Sequence, residues 1–465
     1  MLLREMSQKM LGLNYDAAPS LAQQAARQGA LDTIGVTLAG AGSDAARRVS
    51  AAFLPMAGEG PASIMGAERS VDLASAALLN GTASHAHDFD DCSNTLGGHP
   101  SAPILPAIWA LAEARKASGK DLLSAYIAGV EVETRLGRAV NFHHYEKGWH
   151  PTSTLGTFGA AAACAHLMGL DADRAAVALA LAASMASGLK ANFGTMAKPY
   201  HVGHCARNGL SAALMAEAGL SANPGVLEHP QGFFAVYDES QVDAAACLDG
   251  WADPLDLVEP GLAFKRHPCC ASTHPAIDAL LVLREKHGLT WDDVRSIRSW
   301  THPRRLRHTN RPDPRSGLEA KFSVQYVLTR ALMRGRLGLE DFTDAAVADS
   351  RVRDLMSRVV AEPHPDAVMD TTEHFFAEVT VMCGDGRELT ARVERPLGRD
   401  RQHPLPEGAL EAKFLDCAAP VIGDAAAGRL LEALSGLQDV GSIASLAPMV
   451  RKQADGQENR KALKA

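Results

Sequence analysis

PTSTLGTFGAAAACAHLMGLDADRAAVALALAASMASG, residues 151–188, decides how this chain is read. Thr152 or Ser153 opens an Ala-rich run to Leu167, and Gly169 stops it. Asp171 opens a second run that Gly188 closes. A short polar side chain before an apolar run can accept a hydrogen bond from an orphaned N–H of the first turn. A glycine after the run enters the left-handed region without steric cost. Together they are helix start and stop signals. The run VALALAASMASG (177–188) is the nearest approach to a membrane span and falls short of the ~20 apolar residues needed.

The same grammar extends in both directions. Residues 17–40 place Leu21, Ala25, Leu31, Ile34 and Leu38 on an amphipathic helix that Gly40 ends, and 71–83 give another. Pro103 and Pro106 start a helix through Trp109 and Leu111 to Ala117, closed by Gly119. Asp121 is the expected cap of 122–140, and RNGLSAALMAEAGL (207–220) repeats the pattern. Past Pro260 the texture changes. A helix follows FKRHPCCASTHPAID (264–278), then a strand over 294–302, a helix over 319–336 and a hairpin over 375–396 around Gly384-Asp385-Gly386. From Glu407 the chain returns to helix, and the tail 451–465 reads as polar and frayed. The expected fold class is mainly α: a large all-helical domain from 1–262 and 400–465, with a smaller inserted α+β lid domain at 263–399.

Composition narrows the function classes. The 465 residues are 46% hydrophobic and only 5% aromatic, enough for a core rich in small residues. A net charge of −8 argues against a nucleic-acid partner and leaves room for a locally basic pocket. The eight cysteines form no CxxC or paired spacing, which suits free thiols in a reducing compartment. MLLREMSQKM is too short and too charged for a signal peptide, so a soluble cytoplasmic protein is expected.

The chemistry is sought in SHAHDFDDCSNTLGGHP (84–100), which packs His85, His87, Asp88, Asp90, Asp91 and His99 into one stretch. His85-x-His87 invites a metal, but Phe89 and Asp90 stand where an HxHxDH metal motif needs other residues. The three aspartates also lack the spacing of a DDxxD magnesium motif. A charged cluster of this kind is ordinarily a solvated face. Three further loops weigh against that reading. GWHPTSTLGTFGAA (148–161) puts His150 before a helix start. GTMAKPYHVGHCARNG (194–209) gathers Lys198, His201, His204 and Arg207, read as a loop. FKRHPCCASTHP (264–275) gathers Lys265, Arg266, His267 and His274. Each alone is a common surface feature; together they point to one site built from several helix starts. Cations around histidines suit a small di- or tricarboxylate: the cations hold carboxylates and stabilise charge developing beside them, and a His moves the proton. No dinucleotide fingerprint, P-loop or GxSxG elbow occurs, and Cys269-Cys270 read as two small buried thiols.

These blocks, HAHDFDD…HPSAPILPAIWALAE, GWHPTSTLGTFGAAAA, MAKPYHVGHCARNG, FKRHPCCASTHPAIDA and EAKFSVQYVL, resemble the MmgE/PrpD family over roughly residues 80–330. That family includes 2-methylcitrate dehydratase, cis-aconitate decarboxylase and iminodisuccinate epimerase. The resemblance implies a helical domain with an α+β lid, a homodimer, an active site between the domains, and neither metal nor organic cofactor. By motif, it carries Asp88, His99, His150, Lys198 and Tyr326 into the catalytic set, with His99 and His150 moving protons, Asp88 orienting a neighbour and Tyr326 donating to substrate. Lys198 and Lys265 would bind substrate carboxylates, with Arg266 and Cys92 beside the substrate. His85, His87, Asp90 and Asp91 are left to shape the loop. Cys92 stands where the decarboxylase and many relatives have Thr. The expected reaction is proton abstraction α to a carboxylate, with dehydration of a 2-methylcitrate-type acid first. Epimerisation of an iminodisuccinate-type acid comes second and cis-aconitate-type decarboxylation third. A non-catalytic binder of anionic metabolites is the rival outside enzymes.

Overall fold

The computed structural model describes residues 1–239, 242–367 and 375–452. The fold is mainly α, and the chain divides into two compact units. The first takes in Met1–Ala86, Asp90–Phe264 and the chain from Glu407 onward; the second takes in His87–Phe89 and Lys265–Pro406.

The first unit is built on helices α1 (Leu2–Leu11), α2 (Ser20–Gly40), α3 (Leu73–Ser84), α4 (Ser101–Arg115), α5 (Gly119–Val140), α6 (Pro151–Leu167), α7 (Ala172–Met185) and α8 (Ala197–Glu217). The starts of α3, α5 and α7 follow the capping logic. Asp72 accepts from Ser75 N–H at 2.9 Å ahead of α3, and Asp171 from Arg174 N–H at 2.8 Å ahead of α7. At α5 the cap is Ser118, not Asp121. Asp121 sits at the third helical position and closes a capping box with Ser118, so the helix starts three residues before the expected run.

Small residues let these helices meet closely. A Cβ on Gly203 of α8 would lie 2.2 Å from the Leu78 carbonyl oxygen of α3, and one on Gly81 would meet the Gly203 Cα at 2.8 Å. The two backbones cross where neither has a side chain. A Cβ on Gly209 would meet Ala160 of α6 at 2.5 Å. The quoted Ala-rich run is buried along nearly its whole length for this reason. The C-terminal helices α11 (Ala409–Ile422) and α12 (Asp424–Ser435) return to this unit, where Lys413 Nζ lies 2.6 Å from Asp32 Oδ1 of α2.

Two expectations change here. Residues 197–206, read as a loop, are the first turns of α8. Pro199 hid this, yet in a first turn its missing N–H costs nothing. The first residues, read only for a leader, form α1, whose Leu3, Met6 and Met10 are buried.

The second unit holds a four-stranded sheet. Strands β1 (Val294–Thr301), β2 (Val359–Pro363), β3 (Ala377–Cys383) and β4 (Glu388–Val393) lie in the order β2-β1-β3-β4. The expected hairpin is β3-β4, in register from Ala377 opposite Val393 to Met382 opposite Glu388. Strand β2, absent from the sequence reading, runs parallel to β1. Only Val359 of its five residues is buried, with no alternation, which leaves little periodicity to read. Helices α9 (His274–His287) and α10 (Val324–Arg334) supply the other half of the core, with Leu280, Tyr326, Val327 and Leu328 packed with Ile297, Val379 and Val381. The helix expected over 319–336 is broken: Ser323 accepts from Tyr326 N–H at 3.1 Å and starts α10 afresh. The tail from 453 lies outside the described residues.

Candidate functional site

In the first unit, four histidines stand in a row. His85 closes α3 as its C-terminal cap, His99 precedes α4, His150 is the residue before α6, and His201 lies in the second turn of α8. Ring centroids are 4.6 Å apart for His85–His99, 5.7 Å for His85–His150 and 5.6 Å for His150–His201. The site is therefore assembled from helix ends that the packing of α3, α6 and α8 brings together.

The local backbone explains why the sequence reads as it does. The loop between His85 and His99 turns back on itself through Gly97, at φ +67°, and Gly98. A Cβ on Gly98 would lie 2.6 Å from Thr152 Oγ1, so glycine is required for the close approach. That same Thr152 hydroxyl accepts the His99 backbone N–H at 3.2 Å, tying the loop to the start of α6. His150 donates its backbone N–H to Gly188 O at 3.0 Å, and Pro151 fills the first helical position.

Asp90 sits at one end of the row. Its Oδ2 is 2.7 Å from His85 Nδ1 and 3.2 Å from His99 Nδ1, in a fully buried position. Burial alone would push its carboxyl up. The two imidazoles outweigh this and hold it well below the ordinary range. His85 goes the other way: burial dominates, the Lys198 ammonium adds to it, and its pKa falls to about 3 despite Asp90. At neutral pH the pair is an aspartate facing a neutral imidazole that donates from Nδ1. His85 Nε2 is buried with no hydrogen-bond partner.

The other end is uncharged. His150 is 2% exposed, its Nδ1 is 3.3 Å from His201 Nδ1, and its Nε2 has no hydrogen-bond partner. Burial, then the charges of His85, Lys198 and His201, hold its pKa well below the ordinary histidine value. His201 is lowered too, by burial first and then by His204 and Lys198. Lys198, one turn before His201 on α8, is 5% exposed, with Nζ 5.2 Å from the Phe193 ring centroid. A buried ammonium beside neutral imidazoles is a place where an anion gains by arriving.

Cys92 stands beside this group, Sγ 3.8 Å from His99 Nδ1, and its backbone exchanges hydrogen bonds with Ala263 at 2.8 Å. His204 turns away along α8, to Arg207 and to Asn208 at 3.2 and 3.0 Å. His85, Asp90 and His99 are also close enough to share a cation. Both ring Nδ1 atoms, however, face the carboxylate as N–H donors, and a metal would require that pairing to open.

The remaining residues of the predicted set lie in the second unit. Lys265 Nζ lies 3.2 Å from Asp88 Oδ2 and donates to the Asp88 carbonyl at 2.7 Å; both residues are buried. Asp88 has a left-handed backbone, φ +52°, which the lysine braces. Arg266 reaches Asp278 at 3.3 Å, on the same oxygen that His267 meets at 3.2 Å. Tyr326 corrects an expectation. Its ring is wholly buried in the core of the second unit, and its hydroxyl donates to the Asp341 carbonyl. Its hydroxyl is thus already committed, so the structure gives it a packing role and no place as a donor to substrate.

Sequence reasoning left His85 and Asp90 to shape the loop and missed their pairing with His99. Nothing in the spelling DFDD marks Asp90 as the aspartate whose Oδ2 lies against His85 and His99.

The first unit thus gathers four histidines, the Asp90 carboxylate and a buried lysine at the ends of packed helices. Comparison with known sequences places the protein further. The chain belongs to the MmgE/PrpD family: residues 4–244 match the MmgE/PrpD N-terminal domain and 267–438 the MmgE/PrpD C-terminal domain. It is 34% identical to a human cis-aconitate decarboxylase over 386 residues, 81% of this chain and 79% of the relative. The mouse enzyme of the same name is 33% identical over 78% of this chain and 76% of its own, and one from Aspergillus terreus 26% over 93% and 92%. The chain is thus an enzyme of this family, and no described helix is long and apolar enough to cross a membrane.

Proposed function

We propose that this protein is a lyase that works on a small tricarboxylate without a cofactor, and that its reaction is decarboxylation of a cis-aconitate-type acid. The relatives named above are decarboxylases over most of this chain, which moves decarboxylation ahead of the dehydration favoured by sequence. The observation that carries the site is Lys198 buried among His85, His150 and His201.

The chemistry follows from the substrate class. When the carboxylate on the CH2 arm of such an acid leaves as CO2, its electron pair enters the adjacent double bond. The charge then spreads into the carboxylate at the far end. A proton delivered to the far CH carbon completes a product with a terminal methylene group, and atoms and charge balance. Lys198 holds a carboxylate and stabilises that charge. His99, backed by the Asp90 carboxylate, or His150, beside His201, delivers that one proton after taking it up from water between turnovers. Lys265 and Arg266 serve Asp88 and Asp278 in this account, and Cys92 lies against His99 where it can touch substrate. The homodimer and cytoplasmic setting implied by the family belong to the same reading.

A second reading is dehydration of a 2-methylcitrate-type acid. It is favoured by His99, because an imidazole on an ionised carboxylate suits protonation of a departing hydroxyl. Incubation in D2O with EDTA and a panel of aconitate-, citrate- and iminodisuccinate-type acids tests both. CO2 release with one deuterium in a methylene product supports decarboxylation. Loss of water supports the second reading. Deuterium uptake with inversion alone indicates an epimerase, and inactivity across the panel defeats the proposal.

A further inference from the structure

One carboxylate oxygen serving two histidines is an arrangement that the proposed reaction leaves unexplained. We infer that Asp90 is a positioning residue that fixes His99 as the Nδ1–H tautomer, and that His85 exists to hold Asp90 in that task. The inference rests on His99 being a proton-transfer group but not on which acid is turned over.

The geometry carries it. Asp90 Oδ2 lies between His85 Nδ1 at 2.7 Å and His99 Nδ1 at 3.2 Å. A carboxylate accepts and cannot donate, so both nitrogens must carry hydrogen. With Nδ1–H committed, Nε2 becomes the only atom of His99 that can gain or lose a proton. A carboxylate left with a single N–H in a closed interior is poorly solvated, and His85 supplies the second donor. The His85 ring also meets His99 edge-on at 4.6 Å, which limits rotation of His99. His85 donates from Nδ1 in either charge state, and its buried position beside Lys198 keeps it neutral. Asp90 Oδ1 is buried without a hydrogen-bond partner, so the oxygen facing the histidines does all the work. The titratable groups around the pair are His85, His150, Lys198 and Cys92, with Asp91 next in the chain and Asp88 two residues before.

Three variants separate the parts. Asp90→Asn keeps the shape but offers His99 either an oxygen or an NH2, so both tautomers form. His85→Gln keeps an N–H donor for Asp90, and His85→Leu removes it. Nitrogen-15 spectra of histidine-labelled full-length protein, with His99 assigned through His99→Gln, read the tautomer without any turnover. The expected result is His99 protonated at Nδ1 in the wild type and mixed in Asp90→Asn. In a turnover assay, kcat of Asp90→Asn falls on the order of 10²–10⁴-fold, with KM within about threefold. The limb of the kcat–pH profile set by His99 moves to lower pH, because a stabilising charge is gone. His85→Gln keeps most of the rate that His85→Leu loses. A wild-type His99 protonated at Nε2, or an unchanged His99 spectrum in Asp90→Asn, overturns the inference. If no acid is turned over, the proposed function fails while the spectra still decide the tautomer. If Asp90→Asn does not fold, the wild-type spectrum and the two His85 variants decide it.

Discussion

Asp90 and Asp91 are adjacent and both fully buried, yet their carboxyl pKa values move in opposite directions. Asp90 turns to two imidazoles and is held ionised. Asp91 turns into the helical core, where Ser101 donates to it and the Ser101 hydroxyl meets that of Tyr126. Burial, then the Asp32 charge, pushes its carboxyl well above the ordinary value. Glu133 nearby is raised for the same reasons, by burial and by Asp91. One peptide unit thus separates an electrostatic anchor from a hydrogen-bonding core residue. Burial sets no charge state by itself; the partners available at each side chain do.

That difference can be broken deliberately, and the largest effect belongs to the ionised member. Asp90→Asn should reduce kcat at least a hundredfold, as steady-state kinetics would show, whereas Asp91→Asn should leave kcat within about threefold. Equal losses in the two variants would mean that the charge on Asp90 is not what matters.

The next effect is on acid stability. His85 and His150 are held neutral, His85 with a pKa of about 3. Their folded pKa values lie below the unfolded value of about 6.5, so their contribution is fully present above that pH and is lost as pH falls. Each costs about 1.4 kcal/mol per pH unit below 6.5 until its folded pKa is reached. Urea unfolding midpoints should therefore drop steeply between pH 6.5 and 4, and less steeply in His85→Gln. Asp91 has the opposite sign: its raised pKa costs stability as pH rises above about 4. Asp91→Asn should remove that cost and flatten the alkaline side of the same profile.

Packing gives effects of a few kcal/mol. Gly203→Ala places a Cβ 2.2 Å from the Leu78 carbonyl, where α3 and α8 cannot both stay. It should lower stability by about 2–3 kcal/mol in a denaturant titration. The smallest change is Tyr326→Phe. It removes one hydrogen bond to the Asp341 carbonyl and should cost about 1 kcal/mol, with kcat/KM within threefold. A hundredfold fall in kcat/KM would restore Tyr326 to the reacting groups.

How much of this could be read from residues alone differs between fold and site. The Ala-rich helices were legible because caps and stops act locally: Asp171 caps α7 as read, and the run to Leu167 ends as read but starts at Pro151, ahead of the opener expected at Thr152 or Ser153. The start of α8 was not, because Pro199 in a first turn looks the same as a proline in a loop. Strand β2 was not, because it is half exposed and pairs across more than fifty residues with β1. At the site, the four helix starts were flagged by residue type, and His99, His150 and Lys198 do gather in the first unit. The contact of Asp90 with His85 and His99 was not legible, since it depends on backbone turns, among them the left-handed one at Asp88. Tyr326 was misplaced for the converse reason: a tyrosine inside FSVQY has the same spelling in a core as at a site.

The central claim is that the histidine row with Lys198 is where a small tricarboxylate is turned over. It is tested most directly by kcat/KM on cis-aconitate for the wild type and for His99→Ala, with the melting temperature of each recorded alongside. The account predicts measurable CO2 release by the wild type and a fall of at least a hundredfold in His99→Ala at a melting temperature within a few degrees. A variant that folds and keeps kcat/KM within threefold of wild type would contradict it.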